Sequence, residues 1–365
     1  MGLKIVILGL SITSSWGNGH ATTYRALAKA LAARGHAVTF LEREQPWYAA
    51  NRDLAQPPYC TVHLYETLDE LSRRFAQEIR TADLVILGSF VPDGAAVGDW
   101  ITGESEGVTA FYDIDTPVTL SKLAEGDCGY ITPRLIPRFD LYLSFTGGQA
   151  LTIVEDFYGS PRARALYCAV DPEIYAPVAT ERRWLMGYLG TYSLDRQPAL
   201  ERLMIAPARA MDDALFVVAG AQYPVNFPWP ANVERIEHVP PHAHARFYSR
   251  QRTTLNITRA DMKRLGWSPS VRLFEAAACG VPIISDRWEG IDAFFDPGRE
   301  ILIAEDSDEV VRLLRETPDE ELAKIGAAAR ARVLAMHTAD HRARALESYY
   351  EEVVTHDSQI AEEAF

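Results

Sequence analysis

Residues 4–42 have the sequence KIVILGLSITSSWGNGHATTYRALAKALAARGHAVTFLE, and this stretch decides the fold of the first half of the chain. It starts with a short apolar run at 4–9 that is rich in β-branched residues, and a loop of Ser, Gly and Asn follows. A helical pattern then covers 21–34 and stops at Gly35, before a second apolar run at 36–42. Strand, helix and strand in this order form a right-handed crossover, so the sequence predicts a parallel sheet.

The rest of the chain continues this alternation without repeating the sequence. Further apolar runs of strand length, separated by helix-length polar segments, occur at 82–88, 108–112 and 141–145. In the second half, we interpret the segments at 184–189, 214–219, 233–238, 253–257 and 282–285 as buried strands. Residues 170–177 contain two prolines and suit a linker, and 319–353 is almost continuously helical with a break near His337 and Thr338. Because 365 residues exceed the size of most single cores, we predict two doubly wound α/β domains.

The domain boundaries follow from these patterns. We predict a Rossmann-like N-terminal domain at 1–170 and a linker at 171–183. A Rossmann-like C-terminal domain is predicted at 184–337, with a helix at 338–365 that packs back on the N-terminal domain. Open α/β sheets bind ligands at the carboxyl ends of their strands, so we expect functional residues in the loops after the strands, lining a shared cleft.

The composition argues against several classes of protein. The net charge of −14 argues against a nucleic-acid partner, because such binding depends on clustered Lys and Arg. No run of 18 apolar residues is present, so we predict no membrane span, and peripheral attachment stays possible. The short apolar start is interpreted as a strand and not as a signal peptide. Four widely spaced cysteines, Cys60, Cys128, Cys168 and Cys279, form no C-x-x-C pair. We therefore expect neither a zinc site nor disulfides, and a cytoplasmic location.

The first candidate site is the loop 17–20, GNGH, before the first helix. Glycines let a backbone approach a ligand closely, and a helix start offers free N–H groups. A dinucleotide fingerprint is one interpretation, with Glu42 at the end of the second strand as the ribose-binding acid. Against it, Gly17 lies well beyond the strand end, and Thr22 stands where a third glycine belongs.

The second candidate opens the C-terminal half, where 187–196 has the sequence GYLGTYSLDR. A strand, a glycine turn and a cation in this order suit a diphosphate. Backbone N–H groups near Gly190 and Thr191 would hold phosphate oxygens, and Arg196 would neutralise the charge of a leaving group. The alternative is an ordinary glycine turn with an arginine nearby.

The segment 268–286, SPSVRLFEAAACGVPIISD, carries the most specific pattern. Glu275 is expected to open a small-residue helix at 276–279 and to remain exposed. There it would face the cleft and accept hydrogen bonds from paired hydroxyl groups. The alternative is an amphipathic helix with an exposed glutamate.

These motifs together resemble a known family. Segment 272–282 is similar to the nucleotide-sugar motif of GT-B glycosyltransferases, and the whole chain resembles the CgeB-like (spore maturation protein-like) glycosyltransferases of bacteria. The wider resemblance is carried by segments in matching order and spacing, at 17–20, 111–119, 145–148, 170–172, 286–290 and 295–300. It implies the GT-B fold, two Rossmann-like doubly wound parallel-sheet domains that face each other across a cleft. It also implies transfer of a sugar from a nucleoside diphosphate donor, such as a UDP-sugar.

The resemblance implies roles for individual residues as well. Glu275 would bind the ribose hydroxyls, and the diphosphate would lie on the glycine turn beside Arg272. The remaining implied donor contacts are Gly190, Thr191, Arg196, Val239 and Ser270, with Val239 beside the base. Cleft loops are implied at Gly17, Gly19, Trp288, Glu289 and Gly290. Trp267 holds the place of a glutamate that many retaining members use for the sugar, so neither the sugar nor the configuration is assigned.

Three residues are candidates for catalysis. In inverting members a histidine on the first loop or a nearby aspartate takes the acceptor's proton, and His20 matches in type and place. Asp113 and Asp115 follow a strand and, being two apart, should point the same way. The alternatives are a helix-start histidine bonded to backbone and an aspartate turn or cap before Pro117. No Asp-x-Asp adjoins the diphosphate motifs, so we expect no metal and no cofactor besides the donor substrate.

The predicted function is therefore metal-independent hexosyl transfer from a nucleoside diphosphate sugar to an unassigned glycan, lipid, protein or small molecule. Two alternatives remain open at this point. One is a GT-B-shaped nucleotide-sugar epimerase, and the other is a non-catalytic nucleotide-sugar-binding or surface-assembly protein.

Overall fold

The computed structural model describes residues 2–17 and 19–363. The chain divides into two compact units, the first comprising Met1–Cys168 with Ala339–Phe365 and the second comprising Ala169–Thr338. Residues 171–183 thus lie within the second unit. Each unit is built on one sheet whose strand pairings are all parallel, as the βαβ pattern predicts.

The strands are β1 (Lys4–Gly9), β2 (Ala37–Arg43), β3 (Thr61–Tyr65), β4 (Leu84–Gly88), β5 (Val108–Asp113), β6 (Leu141–Ser144), β7 (Ala163–Ala165), β8 (Trp184–Leu189), β9 (Phe216–Ala219), β10 (Val233–Ile236), β11 (Gln251–Asn256), β12 (Ile283–Ser285) and β13 (Leu302–Ile303). Every strand predicted from the sequence is present. The strands that the sequence did not predict are β3, β7 and β13, and each lies at the edge of a sheet. Edge strands bury less and are short, so their apolar signal is weak.

The helices are α1 (His20–Ala33), α2 (Pro46–Ala49), α3 (Leu68–Thr81), α4 (Gly94–Glu104), α5 (Thr116–Glu125), α6 (Gln149–Thr152), α7 (Gln197–Leu200), α8 (Ala206–Ala210), α9 (Pro241–Ser249), α10 (Ala260–Leu265), α11 (Val271–Ala278), α12 (Ile291–Phe294), α13 (Ser307–Glu316), α14 (Asp319–Met336) and α15 (Ala339–Glu363). One 3₁₀ turn covers Ile136–Arg138, and π-helical turns continue α6 and α7 over Ile153–Phe157 and Glu201–Ile205. The predicted break at residues 337–338 is confirmed, because it separates α14 from α15.

The first unit has the strand order β3-β2-β1-β4-β5-β6-β7. Its central strand β1 pairs with β2 and β4, so that Ile5 lies beside Val38 on one side and Leu84 on the other. Ile7, Phe40 and other apolar residues of these strands are fully buried. Continuous apolar runs of this kind are typical of parallel strands that helices cover on both faces.

The C-terminal helix α15 packs against α1 of the first unit. Arg34, just after α1, donates two hydrogen bonds to the Glu347 carboxylate, at 2.7 and 2.6 Å, and the His36 imidazole contacts the same carboxylate at 2.7 Å. Hydrogen bonding from Arg34 lowers the pKa of Glu347 to about 2. The Tyr349 hydroxyl donates to the carbonyl of Ala165 at 3.0 Å. The end of the chain therefore belongs to the first unit.

The second unit has the strand order β10-β9-β8-β11-β12-β13. Its core contains buried side chains from the strands and the covering helices, among them Met186, Val218, Leu255, Ile284, Leu203 and Val310. Because all strands run in the same direction, the last residues of β8, β9, β11 and β12 lie along one edge of the sheet. These residues are Leu189, Ala219, Asn256 and Ser285.

All four cysteines carry free thiols. Within the part of the chain that the structure describes, no helix has both the length and the hydropathy needed to cross a bilayer.

Candidate functional site

The side chain of Arg272 lies at the carboxyl edge of the second sheet. It belongs to the first turn of α11, and its Nε donates to the carbonyl of Leu189, the last residue of β8. Its guanidinium lies over the Tyr188 ring, 4.7 Å from the ring centroid. These contacts orient Arg272 before any ligand binds, and a planar guanidinium with several donors is suited to phosphate oxygens.

Gly190 provides the space that this guanidinium occupies. A Cβ atom at residue 190 would lie 2.9 Å from Nη2 of Arg272 and 2.5 Å from the Tyr188 hydroxyl. The carbonyl of Gly190 accepts a hydrogen bond from the Tyr223 hydroxyl at 3.2 Å. The structure therefore brings Gly190 and Arg272, which are far apart in sequence, into direct contact, and it gives a steric reason for the glycine.

Asn256 connects these elements, and the sequence analysis missed it. Its side chain is 1% exposed, and its Oδ1 accepts from Ser270 Oγ at 2.7 Å and from Arg272 Nη1 at 2.9 Å. Its Nδ2 donates to Ser285 Oγ at 3.0 Å. A buried amide needs such partners, and here they join β11, β12 and the start of α11. An asparagine at the carboxyl end of a predicted buried strand is the signal that would have identified it.

Arg196 lies on the loop after β8 and is partly held by that loop. Its Nε donates to Ser193 Oγ and its Nη2 to the carbonyl of Thr191, both at 2.8 Å. Burial raises the pKa of Tyr223, and electrostatic interactions with Arg196 and Arg272 oppose that rise. Both guanidinium groups therefore lie close to the same tyrosine, at the Gly190 turn.

Glu275 is buried, and the expectation of an exposed carboxylate at a helix start is wrong. The helix α11 begins at Val271, so Glu275 lies in its second turn, and the residue is 4% exposed. Its Oε1 accepts from the Tyr175 hydroxyl at 2.8 Å and its Oε2 from the Tyr248 hydroxyl at 3.1 Å. A buried carboxylate requires such donors, and distant segments supply them.

Val239 is linked to Glu275 through His244. The Val239 carbonyl accepts a hydrogen bond from Nε2 of His244 at 2.9 Å, and Nδ1 of the same ring lies 3.1 Å from the Tyr175 hydroxyl. The residues implied for the base and for the ribose are thus joined by a chain of hydrogen bonds. Tyr175 comes from the segment that the sequence analysis interpreted as a linker.

The loop after β12 packs against Trp267. The Trp267 backbone is left-handed, with φ of 50°, and its N–H donates to the carbonyl of Glu289 at 2.6 Å. A Cβ atom at Gly290 would lie 2.5 Å from the Trp267 ring, so these two loops are in close contact. Trp288 is buried and Glu289 is exposed.

His20 is the first residue of α1 in the first unit. Its ring meets the Phe90 ring edge-on, with the centroids 5.4 Å apart, and burial lowers its pKa to about 4. The neighbouring Gly17 and Gly19 are exposed, whereas Asn18 of the same motif lies outside the described residues. The imidazole is therefore neutral at neutral pH, as a general base requires.

Asp113 and Asp115 lie in different environments. Asp113 ends β5 with no exposed surface, and its carboxylate accepts from the Tyr142 hydroxyl at 2.5 Å and Thr119 Oγ1 at 2.8 Å. Burial raises the pKa of Asp113. Asp115 lies beyond the strand, is half-buried and precedes α5, so strand alternation does not relate the two side chains.

Glu42 does not have the free oxygens that the dinucleotide interpretation requires. It is completely buried, and its carboxylate accepts from the backbone N–H groups of Ile12 and Thr13 at 2.7 and 3.0 Å. The hydroxyls of Ser11 and Thr13 donate to it as well, at 3.0 and 2.6 Å. Glu42 thus holds the loop after β1. Among the described residues, no group of three or more His, Cys, Asp or Glu side chains could hold a metal ion.

Known proteins share features of sequence and fold with this chain. Residues 196–348 match the family model described as "Glycosyl transferase-like". No curated protein sequence matches the chain. The part of the chain that the structure describes has the GT-B fold of glycosyltransferases, with two Rossmann-like units whose sheets contain seven and six parallel strands.

Solved structures of this fold match nearly the whole chain. Sucrose-phosphate synthase from Thermosynechococcus elongatus is 15% identical, with a TM-score of 0.71 over 96% of this chain and 99% of that one. Anabaena Alr3699/HepE in complex with UDP and glucose is 13% identical, with a TM-score of 0.71 over 96% of this chain and 100% of that one. An alpha-glucosyltransferase in complex with UDP-glucose and DNA containing an abasic site is 11% identical, with a TM-score of 0.73 over 97% and 100%.

Proposed function

We propose that this protein is a glycosyltransferase that moves a hexose or related sugar from a nucleoside diphosphate sugar to an acceptor hydroxyl group. The observation that carries the proposal is the guanidinium of Arg272, which three contacts hold against Gly190 at the carboxyl edge of the second sheet. The preferred donor is a UDP-sugar, because two solved structures of the same fold contain UDP with glucose or UDP-glucose. Within the GT-B enzymes we assign the chain to the CgeB-like bacterial group, on the sequence motifs.

The donor site is assigned to the second unit. Arg272, Arg196, the N–H of Thr191 and the N–H groups of the α11 N-terminus bind the diphosphate, because the N–H groups of Gly190 and Tyr192 already donate to the carbonyls of Ala219 and Ala221. Glu275 accepts from the ribose hydroxyls, since each of its oxygens has a second lone pair beyond the one that a tyrosine occupies. Val239 borders the base.

The acceptor base is assigned to the first unit, with His20 preferred to Asp113. His20 is neutral at neutral pH, whereas Asp113 has no exposed surface from which to reach an acceptor. In the transfer step the acceptor oxygen forms a bond to the anomeric carbon, and the bond from that carbon to the diphosphate oxygen breaks. The acceptor proton moves to the imidazole, and the arginines stabilise the charge on the departing nucleoside diphosphate.

The acceptor is proposed to be a glycan, lipid, protein or small molecule, and the enzyme is proposed to act in the cytoplasm. Three solved structures of this fold contain DNA, but a net charge of −14 disfavours a nucleic-acid acceptor here. The free thiols are consistent with a reducing compartment.

The proposal is tested first by binding. A thermal-shift panel of UDP, GDP, ADP and their sugar conjugates should raise the melting temperature for one base only, because a ligand that binds the native state stabilises it. Arg272→Ala should remove the shift, whereas Arg312→Ala, an exposed arginine of α13, should retain it. A folded wild-type protein that binds no nucleoside diphosphate in calorimetry would refute the proposal.

Metal independence is tested on turnover. Once a donor and an acceptor are identified, product formation should be the same in EDTA and in added Mn²⁺, because two arginines and a helix N-terminus neutralise the leaving group. Loss of activity in EDTA with recovery in Mn²⁺ would show that a metal is required.

A further inference from the structure

The peptide group between Gly190 and Thr191 has its two polar groups directed to opposite sides of the turn. The carbonyl of Gly190 accepts a hydrogen bond from the Tyr223 hydroxyl at 3.2 Å. The peptide is trans, and in a planar trans peptide the C=O and N–H bonds point in opposite directions. The N–H of Thr191 therefore points away from Tyr223.

The backbone on either side of this peptide agrees with that direction. The N–H of Gly190 donates to the carbonyl of Ala219 at 2.8 Å. The N–H of Tyr192 donates to the carbonyl of Ala221 at 3.0 Å, so the turn continues the pairing of β8 with β9. Successive N–H groups along a paired strand alternate in direction. The N–H of Thr191, which lies between these two, is thus directed away from the segment that follows β9.

The opposite side of the turn is the side on which Arg272 lies. Strand β8 has β9 as one neighbour in the sheet and β11 as the other. The carbonyl of Leu189, two residues before Thr191, accepts the hydrogen bond from Nε of Arg272. The Thr191 N–H and the Arg272 guanidinium are therefore two donors on the same side of the Gly190 turn.

The segment after β9 fits closely against the peptide on its carbonyl side. A Cβ atom at Gly220 would lie 2.0 Å from the carbonyl oxygen of Gly190 and 2.9 Å from the nitrogen of Thr191. A glycine at this position leaves room for the peptide in the orientation that the Tyr223 hydroxyl requires.

Arg235 of β10 holds the ring that carries this hydroxyl. Its guanidinium lies against two aromatic rings, 4.2 Å from the centroid of Tyr223 and 4.5 Å from the centroid of Trp229. The same guanidinium donates to the carbonyl of Gly220 at 3.0 Å and to the carbonyl of Val218. A cation over an aromatic face is attracted to it, so these contacts orient the Tyr223 ring before any ligand binds.

We propose that Tyr223 is a positioning residue for the diphosphate of the donor, and that its hydroxyl holds the Gly190 carbonyl so that the Thr191 N–H faces the phosphate oxygens. This inference rests on the proposed function, which assigns the diphosphate to this turn. A donor that is already oriented costs less to order when the ligand binds. The hydroxyl acts through the peptide, so its loss should weaken the binding of the diphosphate and leave the binding of the base and ribose unchanged.

The first test observes this peptide by NMR spectroscopy. A glycine followed by a threonine occurs once in the sequence, at 190–191. Protein labelled with ¹³C at the glycine carbonyl carbon and with ¹⁵N at threonine therefore gives a single signal in an HNCO spectrum. Without ligand, Tyr223→Phe should move the carbonyl resonance upfield, because the carbonyl loses its donor. A carbonyl resonance that is the same in the wild type and in the variant would overturn the proposal.

The same signal tests the contact with the ligand. Saturating UDP should move the amide proton resonance of Thr191 in the wild type, because the N–H donates to a phosphate oxygen. Saturating uridine, which has no phosphate, should leave that resonance in place. An amide proton that UDP does not shift, in a protein that binds UDP, would also overturn the proposal.

The second test compares affinities. The Kd for UDP, measured by calorimetry, should rise about three- to tenfold in Tyr223→Phe, the equivalent of one hydrogen bond. The Kd for uridine, measured by ligand-observed NMR titration, should not change. The matched control is Tyr349→Phe in the first unit, because the Tyr349 hydroxyl also donates to a backbone carbonyl, that of Ala165, at 3.0 Å. The control should bind both ligands like the wild type.

The outcomes separate the two proposals. A folded Tyr223→Phe protein whose Kd for UDP is within twofold of the wild-type value would refute the positioning role and leave the proposed function intact. An equal loss of affinity for UDP and uridine would also refute it, because general damage to the site weakens both. A wild-type protein that binds no nucleoside diphosphate would refute the proposed function itself. If GDP or ADP binds in place of UDP, the comparison uses that nucleotide and its nucleoside.

Discussion

Replacement of Gly190 by alanine is predicted to weaken nucleotide binding without unfolding the protein. Gly190 has no left-handed backbone, so alanine is conformationally allowed and the effect is steric. The new Cβ would lie 2.9 Å from Nη2 of Arg272 and 2.5 Å from the Tyr188 hydroxyl, whereas ordinary contacts begin at 3.4 Å. The guanidinium must therefore move by about 0.5 Å and the tyrosine oxygen by about 0.9 Å, which are the differences from 3.4 Å.

This displacement separates Arg272 from the partners that orient it. The hydrogen bond from Nη1 of Arg272 to Oδ1 of Asn256 is 2.9 Å long. Moving the guanidinium by about 0.5 Å brings this distance close to the limit of a hydrogen bond. We expect a stability cost of about 1 kcal/mol. Loss of one charge-assisted bond to a phosphate, about 1.5–3 kcal/mol, corresponds to roughly a 10- to 150-fold rise in the Kd for UDP.

Calorimetry with UDP measures this effect, and circular dichroism monitors the fold. Gly103→Ala is the matched control, because a Cβ at Gly103 meets no atom within 4 Å and the residue lies in helix α4. The control should bind UDP like the wild type and should be as stable or slightly more stable. A folded Gly190→Ala protein whose Kd for UDP is within twofold of the wild-type value would refute the steric argument.

Three further predictions concern single ionisable groups. Glu275→Ala should abolish UDP binding and also lower the melting temperature, because two buried tyrosine hydroxyls lose their acceptor. A variant with the melting temperature of the wild type would contradict the conclusion that Glu275 is a buried acceptor. His20→Ala should lower kcat by about a hundredfold or more with donor affinity unchanged. Because the pKa of His20 is about 4, the kcat of the wild-type enzyme should stay constant from pH 7 to 5. A fall in wild-type kcat centred near pH 6.5 would argue against His20 as the base. Glu347→Gln should lose about 1 to 2 kcal/mol of unfolding free energy above pH 4.5. The reason is that the ionised Glu347 is stabilised in the folded state by the hydrogen bonds from Arg34, which lower its pKa. That difference from the wild type should disappear as the pH falls from about 4.5 to about 2, and urea unfolding at each pH tests it.

Much of the candidate site could be predicted from sequence because it lies in loops directly after strong strands. The apolar runs that end at Leu189 and Ser285 locate the carboxyl edge of the second sheet, and Gly190 and Arg272 stand at fixed offsets from strand and helix. The sequence analysis missed Asn256, because a polar residue at a strand end marks the edge of the sheet but does not reveal the partners of its side chain. Its role depends on Arg272, Ser270 and Ser285, which only the fold brings to it.

The sequence by itself determined the parallel αβ architecture, the two units and the break before the last helix, because periodicity and apolar runs are local properties of the chain. The tertiary structure alone decided which polar groups are buried and with what partners. Glu275 illustrates the difference: its position before three alanines suggested an exposed helix start, whereas contact with Tyr175, a hundred residues earlier, makes it a buried acceptor. Burial and hydrogen bonding depend on segments that are distant in sequence, and no local pattern contains that information.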